Sequence, residues 1–254
     1  MKVPAGNAGG IRAALLGLDL DEIRPELRRL GITLTVSSPQ VVISHGGDGT
    51  LVGAERRYPG VPKVPIRLFS NYLLCKRHRP RAILERLAKG VLREERFIKT
   101  SVQHGDRRKT ALNEAGIHMV NPASAVRFRL FVNGAAYVEG EIIGDGLIVA
   151  TPFGSTAYFR SITRGTFRDG LGLAIVNSVV PIEWTVLRET DVIEAEITRG
   201  PAVVIADNDP KQWRLSRGSV VKFGVADERA SILGYDALTC PDCQTNRRGR
   251  DRKR

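Results

Sequence analysis

The chain has 254 residues, a hydrophobic fraction of 42% and a formal net charge of +12, which is length enough for one large domain or two modest ones around a buried core. No stretch approaches the roughly 18 uninterrupted apolar residues of a membrane-crossing helix, and the start lacks the charged-then-apolar pattern of a secretory signal, so no membrane association is expected and the cytoplasm is the expected compartment. Cys75, Cys240 and Cys243 are an odd count, which argues against a disulfide framework and for reduced thiols.

The charge is unevenly placed. Arg247-Arg248-Gly249-Arg250-Asp251-Arg252-Lys253-Arg254 carries +5 of it, which marks 238–254 as a solvated, disordered tail that binds polyanions weakly and without sequence preference. The remainder is spread thinly, and a basic balance also suits a protein whose ligands are phosphates.

Over 21–30, Ile23, Leu27 and Leu30 recur at helical spacing and Gly31 supplies a stop. A short β-branched strand is expected over 33–36. Val41-Val42-Ile43 is an apolar run of the kind found in strands covered on both faces of a parallel sheet. A second helix is expected from about Thr50, a strand over 64–68, and a helix opened by Pro80 in which Ile83, Leu84, Leu87 and Val91 share a face. This alternation predicts a layered, Rossmann-like α/β domain over 1–98.

After about Arg96 the pattern changes. Phe128, Leu130 and Val132 alternate with Arg127, Arg129 and Phe131, and Asn133-Gly134 is a two-residue hairpin signal. With further strands expected at 142–150, 192–198, 203–206 and 220–225, the span 99–237 reads as a mainly antiparallel β domain. Trp184 and Trp213 read as packing residues, because no aromatic interleaves the basic run.

The sharpest chemical feature is Val41-Val42-Ile43-Ser44-His45-Gly46-Gly47-Asp48-Gly49-Thr50, a buried-type strand running into a glycine cluster and then a helix. Glycines let the backbone approach a ligand closely, and free amides at a helix start hold phosphate oxygens, here offered by Gly46, Gly47, Gly49 and Thr50. A carboxylate in such a site repels the ligand unless it accepts a proton from an attacking hydroxyl or holds a bridging metal ion, so Asp48 points to phosphoryl transfer. The plainer alternative is a strand-to-helix turn with Asp48 as its N-cap. Neither the lysine of a Walker loop nor the glycine spacing of a dinucleotide fingerprint is present.

A second constellation runs from Asp145 to Tyr158, again a strand, a Pro/Gly turn (Pro152, Gly154) and hydroxyl residues opening a helix, whose start suits the polar edges of a nucleotide. Cys240-Pro241-Asp242-Cys243 is half of a zinc-ribbon pattern with no second pair near it in sequence, and it reads as two inert thiols, with a metal shared through a dimer interface as the alternative. His78, His104 and His118 carry no recognisable spacing, and His45 reads as a hydrogen-bonded structural histidine. No metal ligand is assigned.

Gly46 to Thr50, Asn113-Glu114 and Asp145 to Tyr158 occur in the order seen in NAD kinases, and the segment from 41 to 161 resembles that family, whose superfamily includes diacylglycerol kinases and phosphofructokinases. The resemblance implies that Asp48 is the base that activates the adenosine ribose 2′-hydroxyl of NAD. It further implies that Asn113 and Glu114 bind the adenosine part, that Thr156, Ala157, Tyr158 and Ser161 enclose the NAD, and that Asp145 reaches its nicotinamide end. ATP or polyphosphate with Mg2+ or another divalent cation is the implied donor, and a homo-oligomer the implied assembly.

Departures are also visible. Phe69-Ser70-Asn71-Tyr72-Leu73-Leu74-Cys75 stands where the family has a glycine-rich stretch, Ile162-Thr163-Arg164 replaces a small Ala-Gly-Gly segment, and Pro181-Ile182 replaces a Pro-His pair. Arg164 would meet phosphate in place of a close backbone approach. Gly6-Asn7-Ala8-Gly9-Gly10 looks like the first glycine loop of the lipid-kinase branch. Two other readings therefore stay open: a lipid or small-metabolite kinase, and a catalytically inactive NAD(P)-binding sensor.

Overall fold

The computed structural model describes residues 10–68 and 72–245. Gly6 to Gly9, Phe69 to Asn71 and the basic run from 246 lie outside the described residues. The chain divides into two compact units, one comprising the described residues up to Arg96 together with those from Ala230 onward, the other Phe97–Arg229. Among the described residues no helix is long and apolar enough to cross a membrane.

The first unit is built on a parallel sheet. Strands β1 (Arg12–Gly17), β2 (Thr33–Leu34), β3 (Val41–His45) and β4 (Lys63–Ile66) lie in the order β2-β1-β3-β4, followed by Ala230–Leu233 and Glu94–Phe97. All five residues of β3 are buried, as expected of a strand covered on both sides. Alternation decides what covers each side. Val41 and Ile43 pack with Leu27 of α1 (Arg24–Arg29) and with Ile83, Leu84 and Leu87 of α3 (Pro80–Ala88), whereas Val42 packs with Ala54 of α2 (Asp48–Arg57). The helix expected over 21–30 is a 3-10 turn at Leu20–Glu22 followed by α1, which Pro25 helps to start.

Two corrections concern boundaries. Residues 230–237, expected within the β-rich domain, belong to the first unit: Ala230–Leu233 pairs in parallel with β4, Ile232 opposite Lys63. A four-residue strand returning to a distant parallel partner leaves no local signal, because its hydrogen bonds are all made far away in sequence. Residues 238–245, expected as tail, continue through α5 (Asp236–Thr239) to a strand Gln244–Thr245 paired antiparallel with Tyr72–Leu73.

The second unit is all antiparallel. One sheet runs Ala135–Ala136, Val126–Val132, Ile193–Arg199, Val220–Val225, Thr100–His104, Arg107–Ala111; the other runs Thr185–Leu187, Leu171–Val176, Gly146–Ala150, Glu114–Met119, Ala202–Ala206, Trp213–Leu215. Their inner faces share one core, in which Val102, Phe128, Ile197 and Val221 of the first sheet meet Ile117, Val149, Leu173 and Val204 of the second. The Asn133-Gly134 hairpin forms, with φ of 52° and 81°, the doubly positive geometry of a tight two-residue turn. Trp184 packs edge-on against Phe159 at 5.4 Å, and Trp213 lies under Arg107 and Lys109, each 5.1 Å from its ring centre.

Candidate functional site

In the first unit, β3 ends at His45 and delivers the chain into the glycine turn. The Gly46 amide donates to the Ile66 carbonyl at 2.8 Å, which fixes the turn to the end of β4. Gly46 is buried, and a Cβ there would lie 2.3 Å from Thr50 Oγ1, whereas a Cβ on Gly47 would meet nothing within 4 Å. Helix α2 begins at Asp48, two residues before its expected start, and its cap is Gly47, with no side-chain capping bond. The Asp48 carboxylate is therefore not consumed as a cap. It stands exposed at the first helical position, beside the exposed Gly47 and Gly49, where the helix dipole is positive, and the Thr50 amide donates to the Gly47 carbonyl at 3.0 Å.

His45 is fully buried with Nδ1 2.8 Å from the Leu18 carbonyl, and Leu18 N donates to the His45 carbonyl at 3.0 Å. With Nδ1 donating, Nε2 is an acceptor that has no partner among the described residues. Tyr235, which no sequence signal marks, has its phenol pushed up by burial and then by the charges of Glu95 and Asp48.

In the second unit, strand Glu114–Met119 lies between Gly146–Ala150 and Ala202–Ala206. Ala115 and Ile117 point into the sandwich core, so alternation sends Glu114 and His118 to the opposite face. That face is covered by α4 (Tyr158–Thr163) through Phe159, which packs with Ile148 and Ala150. The ring of Tyr158 lies 5.7 Å from that of His118, and its phenol is pushed up by burial and then by the charges of Glu114 and Asp145. The structure thus brings Glu114, Asp145 and Tyr158 into one neighbourhood and adds His118.

Asn113 is held by its backbone. The Asp207 carboxylate accepts from the amides of Leu112 at 2.8 Å and Asn113 at 2.7 Å, and the Asn113 carbonyl accepts from Thr151 N at 2.9 Å. Gly154 presses on the same residue: a Cβ at 154 would be 2.1 Å from the Asn113 carbonyl oxygen. Thr151 Oγ1 bridges the two segments, donating to Leu112 O at 2.5 Å and accepting from Gly154 N at 3.1 Å. Burial, then the Asp207 charge, pushes the Glu114 carboxyl up to about 8, and Glu114 Oε2 is buried without a partner among the described residues. His118 is pushed down by burial against the opposing pull of Asp145, and its Nε2 is likewise unpartnered. Two buried polar atoms left open on one face fit the hydrogen-bonding edge of a ligand. Asp145 accepts from Asn177 Nδ2 at 2.7 Å.

Thr156 is exposed in the 3-10 turn Gly154–Thr156, and Ala157 precedes α4 as its cap. The Ser161 hydroxyl turns back to the Ala157 carbonyl at 3.4 Å. α4 has only six residues, so its dipole contributes little and the hydroxyls and the Tyr158 ring carry the chemistry expected of its start. Arg164 ends α4 with φ of 62°, a left-handed conformation that favours glycine. Sequence reasoning missed Asp207, His118 and Asn177; only His118 leaves a trace, its period-two spacing from Glu114.

The reading of Cys240 and Cys243 as thiols without a second pair is corrected. In the first unit Cys75, His78, Cys240 and Cys243 converge, their ligand atoms all within 4.8 Å of one another.

No family model matches the chain. It is 27% identical over 193 residues to an NAD kinase of Methanosarcina acetivorans, covering 72% of this chain and 69% of that protein. It is 24% identical over 217 residues to an NAD kinase of Thermoplasma acidophilum, covering 82% and 79%. Its fold matches the crystal structure of an NAD kinase from Archaeoglobus fulgidus in complex with ATP, with a TM-score of 0.73, 21% identity and coverage of 95% of this chain and 99% of that one.

Proposed function

We propose that this chain, a divergent member of the NAD kinase family, transfers the γ-phosphoryl group of ATP to the 2′-hydroxyl of the adenosine ribose of NAD, giving NADP and ADP. The observation that carries the reading is the lock on Leu112, Asn113 and Glu114 by Asp207, which presents a buried, open Glu114 carboxyl beside Tyr158. A neutral carboxylic acid both donates and accepts, which suits the adenine edge.

Asp48 is assigned as the base. Its carboxylate takes the hydroxyl proton as the ribose oxygen bonds to phosphorus and the bond to the β-phosphate oxygen breaks. The Gly46 amide is spent on the Ile66 carbonyl and the Thr50 amide on the Gly47 carbonyl, so the exposed backbone at Gly47 and Asp48, with the dipole of α2, ten residues long, receives the phosphate oxygens. Asp48 is exposed and forms no ion pair among the described residues, so it also fits as an oxygen ligand for Mg2+ or another divalent cation. Such an ion neutralises charge on the transferring group when bound. Asn113 and Glu114 hold the adenosine, Thr156, Ala157, Tyr158 and Ser161 enclose the NAD, and Asp145 takes its nicotinamide end. The same reading makes the protein a cytoplasmic homo-oligomer.

The test is NADP formation from NAD by the purified chain with Mg2+, using ATP and polyphosphate as alternative donors. Asp48→Asn is expected to lower turnover by about 10²- to 10⁴-fold while leaving NAD binding intact. NAD binding with no NADP from either donor would replace this reading with that of a sensor.

A further inference from the structure

We propose that Cys75, His78, Cys240 and Cys243 bind one Zn2+ as a structural Cys3His centre, which pins the loop after β4 to the C-terminal segment. Three thiols and an imidazole with ligand atoms within 4.8 Å of one another match a tetrahedral site with metal–ligand distances of about 2.0–2.3 Å. His78 Nδ1 lies 3.3 Å from Cys75 Sγ and 3.4 Å from Cys243 Sγ, the spacing of neighbouring corners of such a tetrahedron.

The backbone is built for it. The ligands come as Cys75-x-x-His78 and Cys240-x-x-Cys243, and each pair closes on a turn: His78 N donates to Cys75 O at 3.0 Å and Cys243 N to Cys240 O at 3.2 Å. Beside the two turns, Tyr72–Leu73 pairs antiparallel with Gln244–Thr245, so a short ribbon holds the two half-sites together. His78 is buried, and its Nε2 lies 3.2 Å from Asp236 Oδ2, which also accepts from Arg77 at 2.7 Å and Arg86 at 3.4 Å. With Nε2–H donating to Asp236, the Nδ1 lone pair is directed at the thiols, the carboxylate–histidine–metal arrangement of zinc proteins.

The donor set chooses the metal and the role. Thiolate with imidazole favours Zn2+ over hard cations such as Mg2+. Four protein ligands leave no open position, so the centre is structural and not catalytic. A redox pair formed by Cys240 and Cys243 would have no use for Cys75, for His78 or for the carboxylate behind His78. The centre anchors α5, whose preceding residue Tyr235 feels the charge of Asp48.

The test is the zinc content of the full chain, purified under reducing conditions, by elemental mass spectrometry, together with the visible spectrum after exchange of zinc for Co2+. About one zinc per chain is expected, with the intense d–d bands and near-ultraviolet charge-transfer band of a tetrahedral thiolate site, and a Cys240→Ser/Cys243→Ser variant should lose at least about nine-tenths of the metal. A wild-type chain without zinc that gives no tetrahedral Co2+ spectrum overturns the proposal, as does a double variant that keeps stoichiometric zinc. Should the double variant fail to fold, the wild-type Co2+ spectrum decides alone. Neither readout depends on turnover, so the centre and the kinase reading stand or fall separately.

Discussion

The carboxylate of Asp207 grips the backbone on either side of the Leu112–Asn113 bond and at the same time faces the buried carboxyl of Glu114. One acid is thereby stabilised by amide donors while its neighbour, buried and repelled by it, is held protonated to about pH 8. A site that binds the edge of a base gains a donor that an ionised carboxylate lacks.

The pH dependence follows from that. Because the folded carboxyl is raised to about 8, its contribution to stability is complete below the ordinary carboxylate range and is lost as pH rises through about 8. NAD affinity should fall only as pH passes about 8, where the folded carboxyl ionises and the donor is lost. Glu114→Gln keeps a donor and an acceptor without the titration, so its affinity and its melting midpoint should both vary less with pH than those of the wild type. Calorimetric titrations and thermal melts from pH 6 to 10 (about two units either side of the raised value) check this, and parallel profiles for the two proteins would rule out Glu114 as the titrating group.

The contact between Gly154 and Asn113 makes a steric prediction. A methyl at 154 would sit 2.1 Å from the Asn113 carbonyl oxygen and 2.5 Å from its Cα, all backbone atoms that no rotamer change can move. Gly154→Ala should cost about 1–3 kcal/mol or more of stability and weaken NAD binding by displacing Asn113. Gly47→Ala is the control, with an extended backbone and nothing within 4 Å, and it should cost no more than the about 1 kcal/mol by which alanine is the poorer helix cap. Urea denaturation of both variants measures the difference.

What the sequence made legible follows the range of the forces involved. Local periodicity placed β3, α3, the Asn133-Gly134 hairpin and the strand Val220–Val225, because those patterns are written within a few residues. The glycine turn was legible because its conformational demands are local as well. Ala230–Leu233 was not, since a short inner strand is defined only by the partner that covers it. Asp207 escaped for the same reason: an acid in a turn looks like any other until the amides of Leu112 and Asn113 fold onto it. No sequence pattern joins Cys75 and His78 to Cys240 and Cys243, because more than half of the chain separates the two halves of the cluster.

Lys63 of β4 and Glu55 of α2 form an ion pair in which the side chains are 1% and 3% exposed. Lys63 Nζ also donates to the carbonyl of Tyr58, the residue that ends α2, at 2.7 Å. The pair therefore ties the last turn of the helix that opens with Asp48 to the strand beside β3. Such a pair adds little net stability over apolar residues of the same size, since both charges give up water, but removing one partner takes from the other its ion-pair partner in the interior. Lys63→Met should accordingly destabilise the protein by about 3–5 kcal/mol, whereas Lys63→Met combined with Glu55→Leu should recover most of that loss. The two variants, compared by urea denaturation, separate an uncompensated charge from a packing defect. If the double substitution is as unstable as the single one, the loss comes from packing, and the ionic account of this contact is wrong.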